Sequence, residues 1–330
     1  MVWLFFALCT VAIAVAGPVL ARASDRIAEA LALSRSWIGI ILLATATSLP
    51  ELVTGVSAVT LADAPNIAVG DALGSCIFNL VLLALLDFLS RSDPLFDRAD
   101  QGHILTAALG VMLIGLVGIV LVVGRDALDL RLLHMSIYSP LLILLYFVSI
   151  RATFLHDRKL APRTAPQENR RSALRGPVQS YILAALPIVL AGSALPFIGQ
   201  GIAELMGWRT SFVGTMLIAA ATSLPELVVV IAALRLGSAD MAIAGLLGSN
   251  LFNMLVLAID DLAYRKGSLL ADASPVHAAS AFAAVVMSGI VIVAIIDRPK
   301  VRFFGVTGWI GIALLTVYLG SAYAMFLIGE

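Results

Sequence analysis

The chain has 330 residues, of which 61% are hydrophobic and 13% charged, with a mean hydropathy of +1.02 and 21 basic against 21 acidic side chains. A soluble domain is about 45–50% apolar, so this composition excludes one and specifies an integral membrane protein. Zero formal net charge removes the bulk basicity expected of a nucleic-acid binder. The two cysteines, Cys9 and Cys76, stand in separate apolar runs and make neither a disulfide framework nor a cysteine metal cluster.

Runs of about 20 apolar residues, long enough to cross a bilayer, fall at 3–31, 37–61, 66–89, 104–124, 132–150, 178–206, 211–235, 239–263, 276–296 and 303–328. The first run ends in Ala21-Arg22-Ala23, the small-residue pattern of a secretory signal, but no Lys or Arg precedes Arg22, so it reads as a retained span. Residues 151–177 are polar and basic, with Arg151, Arg158, Lys159, Arg163, Arg170, Arg171 and Arg175 against Asp157 and Glu168. The expected fold is all-α: a polytopic membrane protein of ten transmembrane helices in two five-helix halves, 1–150 and 178–330, joined by that linker. Sixteen of the 21 basic residues lie in the linker and the loops on its side. Basic loops mark the cytoplasmic face, which places the linker inside and both termini outside a plasma membrane.

The halves are internally related. Gly17 to Val53 aligns without a gap on Gly192 to Val228, with 17 identities in 37 positions, and Thr47-Ser48-Leu49-Pro50-Glu51 recurs as Thr222-Ser223-Leu224-Pro225-Glu226. Ile27-Ala28-Glu29 matches Ile202-Ala203-Glu204, Ser36 matches Ser211, and Gly39 matches Gly214. A second block pairs Gly74-Ser75-Cys76-Ile77-Phe78-Asn79 with Gly248-Ser249-Asn250-Leu251-Phe252-Asn253. The repeat cores run over 38–89 and 213–263. An odd number of spans per half reverses the polarity of the second, giving an inverted repeat with its substrate site near the midplane.

The repeated residues suit a hard cation. Glu51 and Glu226 are carboxylates at membrane depth, where an acidic group costs roughly 2.5–3.5 kcal/mol unless it faces a partner, water or an ion. Pro50 and Pro225 break their helices and free carbonyls just upstream. Three- and four-residue spacing puts Ala44, Thr47, Ser48 and Glu51 on one face, and Ala219, Thr222, Ser223 and Glu226 on another. Ser75 and Asn79 share a face, as do Ser249 and Asn253. All these ligands are oxygens, which favours Ca²⁺, with its six to eight oxygens at roughly 2.3–2.6 Å, over soft metals.

With both motifs in both copies, the chain resembles the cation/Ca²⁺ exchanger superfamily, in particular its prokaryotic sodium/calcium exchanger-like members. The resemblance covers the whole chain. It implies a ten-helix antiporter, not an enzyme, in which inward Na⁺ movement drives Ca²⁺ extrusion, with no cofactor and no obligate protein partner. By the same resemblance Glu51 and Glu226 are the central ligands, surrounded by Thr47, Ser48, Thr222, Ser223, Ser75, Asn79, Ser249 and Asn253. The carbonyls of Ala44 and Ala219 complete sodium sites.

Some positions depart from the family pattern. Ala46 and Ala221 replace the motif glycine, Cys76 replaces an asparagine, and Asn253 stands where close relatives often carry aspartate. Asp71, four residues before Ser75 and opposite Gly245 in the repeat, is a candidate third carboxylate; a helix-end or gating role is its alternative. These departures keep open a second couple, H⁺/Ca²⁺ or another cation exchanged for protons. A channel or intramembrane enzyme is disfavoured: no phosphate loop, H-E-x-x-H pair or G-x-S-x-G elbow is present. Glu29, Glu204, Asp87 and Asp261 read as solvated helix ends, and His103, His134, His156 and His277 as interfacial residues. Gly70-x-x-x-Gly74 and the Gly305, Gly308, Gly311 series fit close helix packing.

Overall fold

The computed structural model describes residues 1–31, 44–90, 95–123, 131–132, 135–160, 174–299, 302–303 and 307–328. The predicted start of the second span, with Ser36 and Gly39, lies outside the described residues, as do His134, Gly305 and the linker residues Arg163, Glu168, Arg170 and Arg171. Among the described residues, ten helices of 12 or more residues follow in chain order. They are α1 (Val2–Ala30), α2 (Leu49–Thr60), α3 (Pro65–Leu89), α4 (Gly102–Val123) and α5 (Tyr138–Leu160), then α6 (Arg175–Met206), α7 (Leu224–Arg235), α8 (Ala239–Ala263), α9 (His277–Asp297) and α10 (Trp309–Ile328). Eight of them are long and apolar enough to span a bilayer, and a bent pair, Thr210–Thr222 with α7 at 44°, makes a ninth candidate among the described residues.

Segment ends differ from expectation in two places for one reason. The spans predicted from 132 and 303 open instead with two-residue antiparallel hairpins, Arg131–Leu132 against Met135–Ser136 and Arg302–Phe303 against Thr307–Gly308, before α5 and α10 begin. Hydropathy registers apolar side chains and is blind to whether the backbone turns back on itself. At its other end α5 continues to Leu160, ten residues past the apolar run, because the polar residues after Ile150 extend a helix already nucleated within the span.

Burial sorts the helices into a middle and a rim. Within the most apolar 18 residues of each helix, 72% are buried in α3 and in α8 but only 28% in α5 and α10. The rim helices turn Leu4, Leu8 and Val15 of α1 and Leu183, Leu186 and Leu190 of α6 outward. Such an apolar belt is stable only against lipid. α1 packs along α6, α4 along α9, and α3 crosses α8 in the centre. Trp3, Trp208, Phe212 and Phe326 join in edge-to-face contacts with ring centroids 5.4–6.4 Å apart, so both ends of the described chain lie at the same end of the bundle as the loop after α6.

Close approach of α3 to the segment before α7 depends on glycine. A Cβ on Gly70 would lie 2.9 Å from the Thr215 amide nitrogen, and one on Gly74 would overlap the Thr215 carbonyl. The expected Gly70-x-x-x-Gly74 packing face is therefore present. Opposite it, residues Val213–Ile218 widen into a π-helix, the local form that a tight backbone crossing and a following proline produce.

Four acidic residues expected at solvated helix ends divide into two pairs. Glu29 and Glu204 are exposed. Asp87 and Asp261 are 5% and 1% exposed, which corrects the expectation. Asp87 accepts the Gly308 amide (3.3 Å), while Asp261 accepts those of Ser136 (2.9 Å) and Leu269 (2.7 Å) and the Ser139 hydroxyl. Each carboxylate thus pins a hairpin of the opposite half, and buried loop amides need such acceptors. His277 also departs from the interfacial reading, being fully buried, whereas His103 is hydrogen-bonded to Asp240 at 2.7 Å. Cys76 is buried, Cys9 is half-buried, and both are free thiols.

Candidate functional site

Two helix breaks create the site. Ser48 (φ −96°, ψ 20°) and Ser223 (φ −85°, ψ 8°) interrupt the helix in matching conformations, and α2 and α7 restart with Pro50 and Pro225 in their first turns. Proline is suited there because the first turn has no use for its missing N–H. The restart leaves each glutamate, Glu51 or Glu226, in the first turn, where free amides and the positive end of the helix dipole stabilise a carboxylate.

The carbonyls of Ala44 and Ala219 are not freed as the prolines suggested. Ala44 O accepts the Ser48 amide at 3.0 Å and lies 3.2 Å from Thr47 Oγ1, while Ala219 O accepts the Ser223 amide at 3.0 Å and lies 3.2 Å from Thr222 Oγ1. A carbonyl has two lone pairs, so an ion at either carbonyl would take the place of its threonine hydroxyl. The motif positions Ala46 and Ala221 are 0% and 2% exposed, and the Ala46 methyl packs with Ala16, Leu20 and Ile188. The extra methyls relative to glycine are absorbed by the core.

Both glutamates turn to the same place. Ser48 Oγ donates to Glu226 Oε1 (3.3 Å) and Ser223 Oγ donates to Glu51 Oε1 (3.1 Å). Each serine therefore serves the carboxylate of the other half, and Glu51 and Glu226 are 1% and 3% exposed. Ser223 Oγ also shares a hydrogen bond with Ser75 Oγ (3.0 Å), and Thr222 Oγ1 donates to Asp71 Oδ1 (2.8 Å). Seven of the thirteen residues singled out in the sequence, Ser48, Glu51, Asp71, Ser75, Thr222, Ser223 and Glu226, are thus joined in sets by hydrogen bonds that cross between the two halves.

Asn79 is held by a residue the sequence reading passed over. Its Nδ2 donates to Asn250 Oδ1 (3.0 Å), and Asn250 Nδ2 donates to the Cys76 carbonyl (3.2 Å). Cys76 and Asn250 are repeat mates, the third residues of the two Gly-Ser blocks, and they touch where α3 crosses α8. That shared motif position was the available signal. Ser249 and Asn253 are buried at 4% and 1% exposure, and neither amide atom of Asn253 has a hydrogen-bond partner. Thr47 stays at the first break, its hydroxyl donating to the Ala44 carbonyl.

Glu51 Oε2, Glu226 Oε2, Asp71 Oδ2, Asn79 Oδ1 and Asn253 Oδ1 are all buried without partners. Buried oxygens left so carry a large desolvation cost, which a hard cation removes. Among the described residues no three His, Cys, Asp or Glu side chains cluster as a metal-holding group. The available oxygens come instead from carboxylates, hydroxyls, amides and carbonyls on four segments, the donor set of Ca²⁺ or Na⁺ rather than of zinc.

A family model described as sodium/calcium exchanger protein matches residues 1–155 and 178–327. The chain belongs to this family. An uncharacterized membrane protein of Methanocaldococcus jannaschii is 30% identical to this exchanger-family chain over 231 residues, covering 69% of it and 70% of the relative. The sodium/calcium exchanger MaX1 of Methanosarcina acetivorans is 25% identical over 282 residues, covering 74% and 77%. Of solved structures, the sodium-calcium exchanger NCX_Mj soaked with 10 mM Na⁺ and zero Ca²⁺ superposes with a TM-score of 0.64 at 25% identity, covering 98% of this chain and 99% of that one. Native YfkE, 19% identical over 98% of this chain and 92% of its own, shares the fold with a TM-score of 0.70. The protein is a multi-pass membrane protein of a cation-exchanger family.

Proposed function

We propose that this protein exchanges Ca²⁺ for Na⁺ by alternating access at a single midplane site shared by two inverted five-helix repeats. The observation that carries the reading is the reciprocal pair of hydrogen bonds, Ser48 to Glu226 and Ser223 to Glu51. Glu51 and Glu226 are the central ligands in this reading. Thr47, Ser48, Thr222, Ser223, Ser75, Asn79, Ser249 and Asn253 supply the surrounding oxygens, and the carbonyls of Ala44 and Ala219 serve sodium. The two glutamates carry a charge of −2, balanced by one Ca²⁺ or two Na⁺.

Alternating access draws support from an inequality between the halves. A Cβ on Gly17 of α1 would overlap the Pro225 ring, whereas one on its mate Gly192 of α6 would lie 3.1–3.2 Å from Val53 and Thr54, about one turn beyond Pro50. Equivalent glycines thus sit at non-equivalent heights, as inverted repeats do when the site faces one side. The positive-inside count assigns the linker to the cytoplasm and both termini to the outside of the plasma membrane.

The test is ion uptake into proteoliposomes. An outward Na⁺ gradient is expected to drive ⁴⁵Ca²⁺ accumulation, and Glu51→Gln or Glu226→Gln to abolish it. The partnerless oxygens of Glu51, Glu226 and Asp71 also suit a proton as counter-ion. Uptake driven by a pH gradient and indifferent to Na⁺ would replace the sodium couple with that one.

A further inference from the structure

Asp260 of α8 is fully buried, and neither carboxylate oxygen meets a hydrogen-bond partner. Its neighbour Asp261 is equally buried yet accepts three hydrogen bonds, from the Ser136 and Leu269 amides and the Ser139 hydroxyl. A carboxylate that shapes this fold therefore comes with donors, and Asp260 has none. Among the described residues, no basic side chain forms an ion pair with it or with Asp71; those present join His103 to Asp240 and Lys266 to Asp63.

Position relates Asp260 to the glutamates. Its carboxylate rests against Gly55 of α2, where a Cβ would overlap it. Gly55 is four residues past Glu51, so the contact lies one turn, about 6 Å, along the same helix face. Asp71 is one turn before Ser75 on α3, and Ser75 is at the level of the glutamates through Ser223. Asp71 Oδ2 is buried without a partner, as are both carboxylate oxygens of Asp260. Both displacements point to the end of the bundle where α2 ends and α3 begins.

The repeat offers nothing like this on the other side. The mates of Asp71, Asp260 and Gly55 are Gly245, Leu86 and Val230. Leu86 and Val230 are buried at 0% and 3% exposure within the main apolar core. The ancestral pseudo-symmetry is thus broken by carboxylates on one side and hydrocarbon on the other.

We propose that Asp260 and Asp71 hold a second hard-cation site, one helical turn from the glutamate pair on that side only. The proposal rests on Glu51 and Glu226 being the central ligands, and gives Asp71 a bridging place between the two sites through Thr222. Oxygen donors alone select Ca²⁺ or Na⁺, with water completing the shell. A cation held one turn away repels the central ion and assists its release, the multi-site logic by which tight binding and fast exit coexist.

Equilibrium binding of ⁴⁵Ca²⁺, and in a separate arm ²²Na⁺, to the purified full-length protein tests the assignment. Wild type is expected to fill in a tight and a weaker step, and the isotope that fills the weaker step identifies its ion. Asp260→Asn is expected to weaken that step at least 10-fold and keep the tight one. Asp71→Asn is expected to weaken the same step independently, and decides the matter if Asp260→Asn does not elute as a single folded species. Glu51→Gln is expected to remove the tight step; failure there overturns the central site, whereas wild-type stoichiometry and affinity for both ions in Asp260→Asn overturns this proposal.

Discussion

Ser48 and Ser223 do two jobs with one residue each: the backbone interrupts a helix, and the hydroxyl crosses to the glutamate of the other half. A hydrogen bond to a charged group is worth about 1.5–3 kcal/mol. Ser48→Ala and Ser223→Ala should therefore each weaken Ca²⁺ binding by roughly 10- to 100-fold, measurable by isothermal titration, without lowering the melting temperature in step. Asp261 is the reverse case. Asp261→Ala strips acceptors from the Ser136 and Leu269 amides, at about 1–3 kcal/mol for each buried donor left unmet, so thermal unfolding in detergent should shift down while binding stoichiometry stays unchanged. Both kinds of residue are acidic or hydroxylic in an apolar run. The glutamates and serines were legible because they repeat with their neighbours, whereas Asp87 and Asp261 reach across to Gly308 and Ser136, in hairpins of the opposite half that no local pattern announces.

At the scale of the helix, the discontinuous pairs and the glycine crossing depend on each other. α3 approaches the π-helical stretch Val213–Ile218 only because Gly70 and Gly74 have no side chain there. Gly74→Ala forces a methyl onto the Thr215 carbonyl, and overpacking of this kind costs about 1–3 kcal/mol. The expected result is a lower melting temperature together with weaker Ca²⁺ binding, because the displaced segment carries Ala219, Thr222 and Ser223; a thermal shift assay run with and without Ca²⁺ reads both. Proline in the first turn and glycine at four-residue spacing were visible in the sequence as a break and a packing face. The π-helix and the hairpins before α5 and α10 were not, since both arise from what the backbone packs against rather than from the residues it contains.

Over the whole molecule, the stoichiometry of the proposed exchange sets its coupling to voltage. Three Na⁺ moved against one Ca²⁺ carry one net charge, at about 2.3 kcal/mol per charge per 100 mV, whereas two Na⁺ carry none. In proteoliposomes loaded for Na⁺-driven uptake, an imposed potassium diffusion potential should change the ⁴⁵Ca²⁺ rate if that stoichiometry holds, and leave it unchanged for two Na⁺ per Ca²⁺. The amino-acid sequence by itself determined the membrane class, the repeat, and a set of repeated oxygen-bearing residues suited to a hard cation, because hydropathy, periodicity and duplication are properties of the chain read in order. Only the tertiary structure decided that each serine serves the opposite glutamate, that Asn250 and Cys76 touch at the crossing, and that Asp260 is buried without a donor. Those facts depend on which segments meet across the bundle, and the packing of two halves against each other fixes that through contacts between residues more than a hundred positions apart.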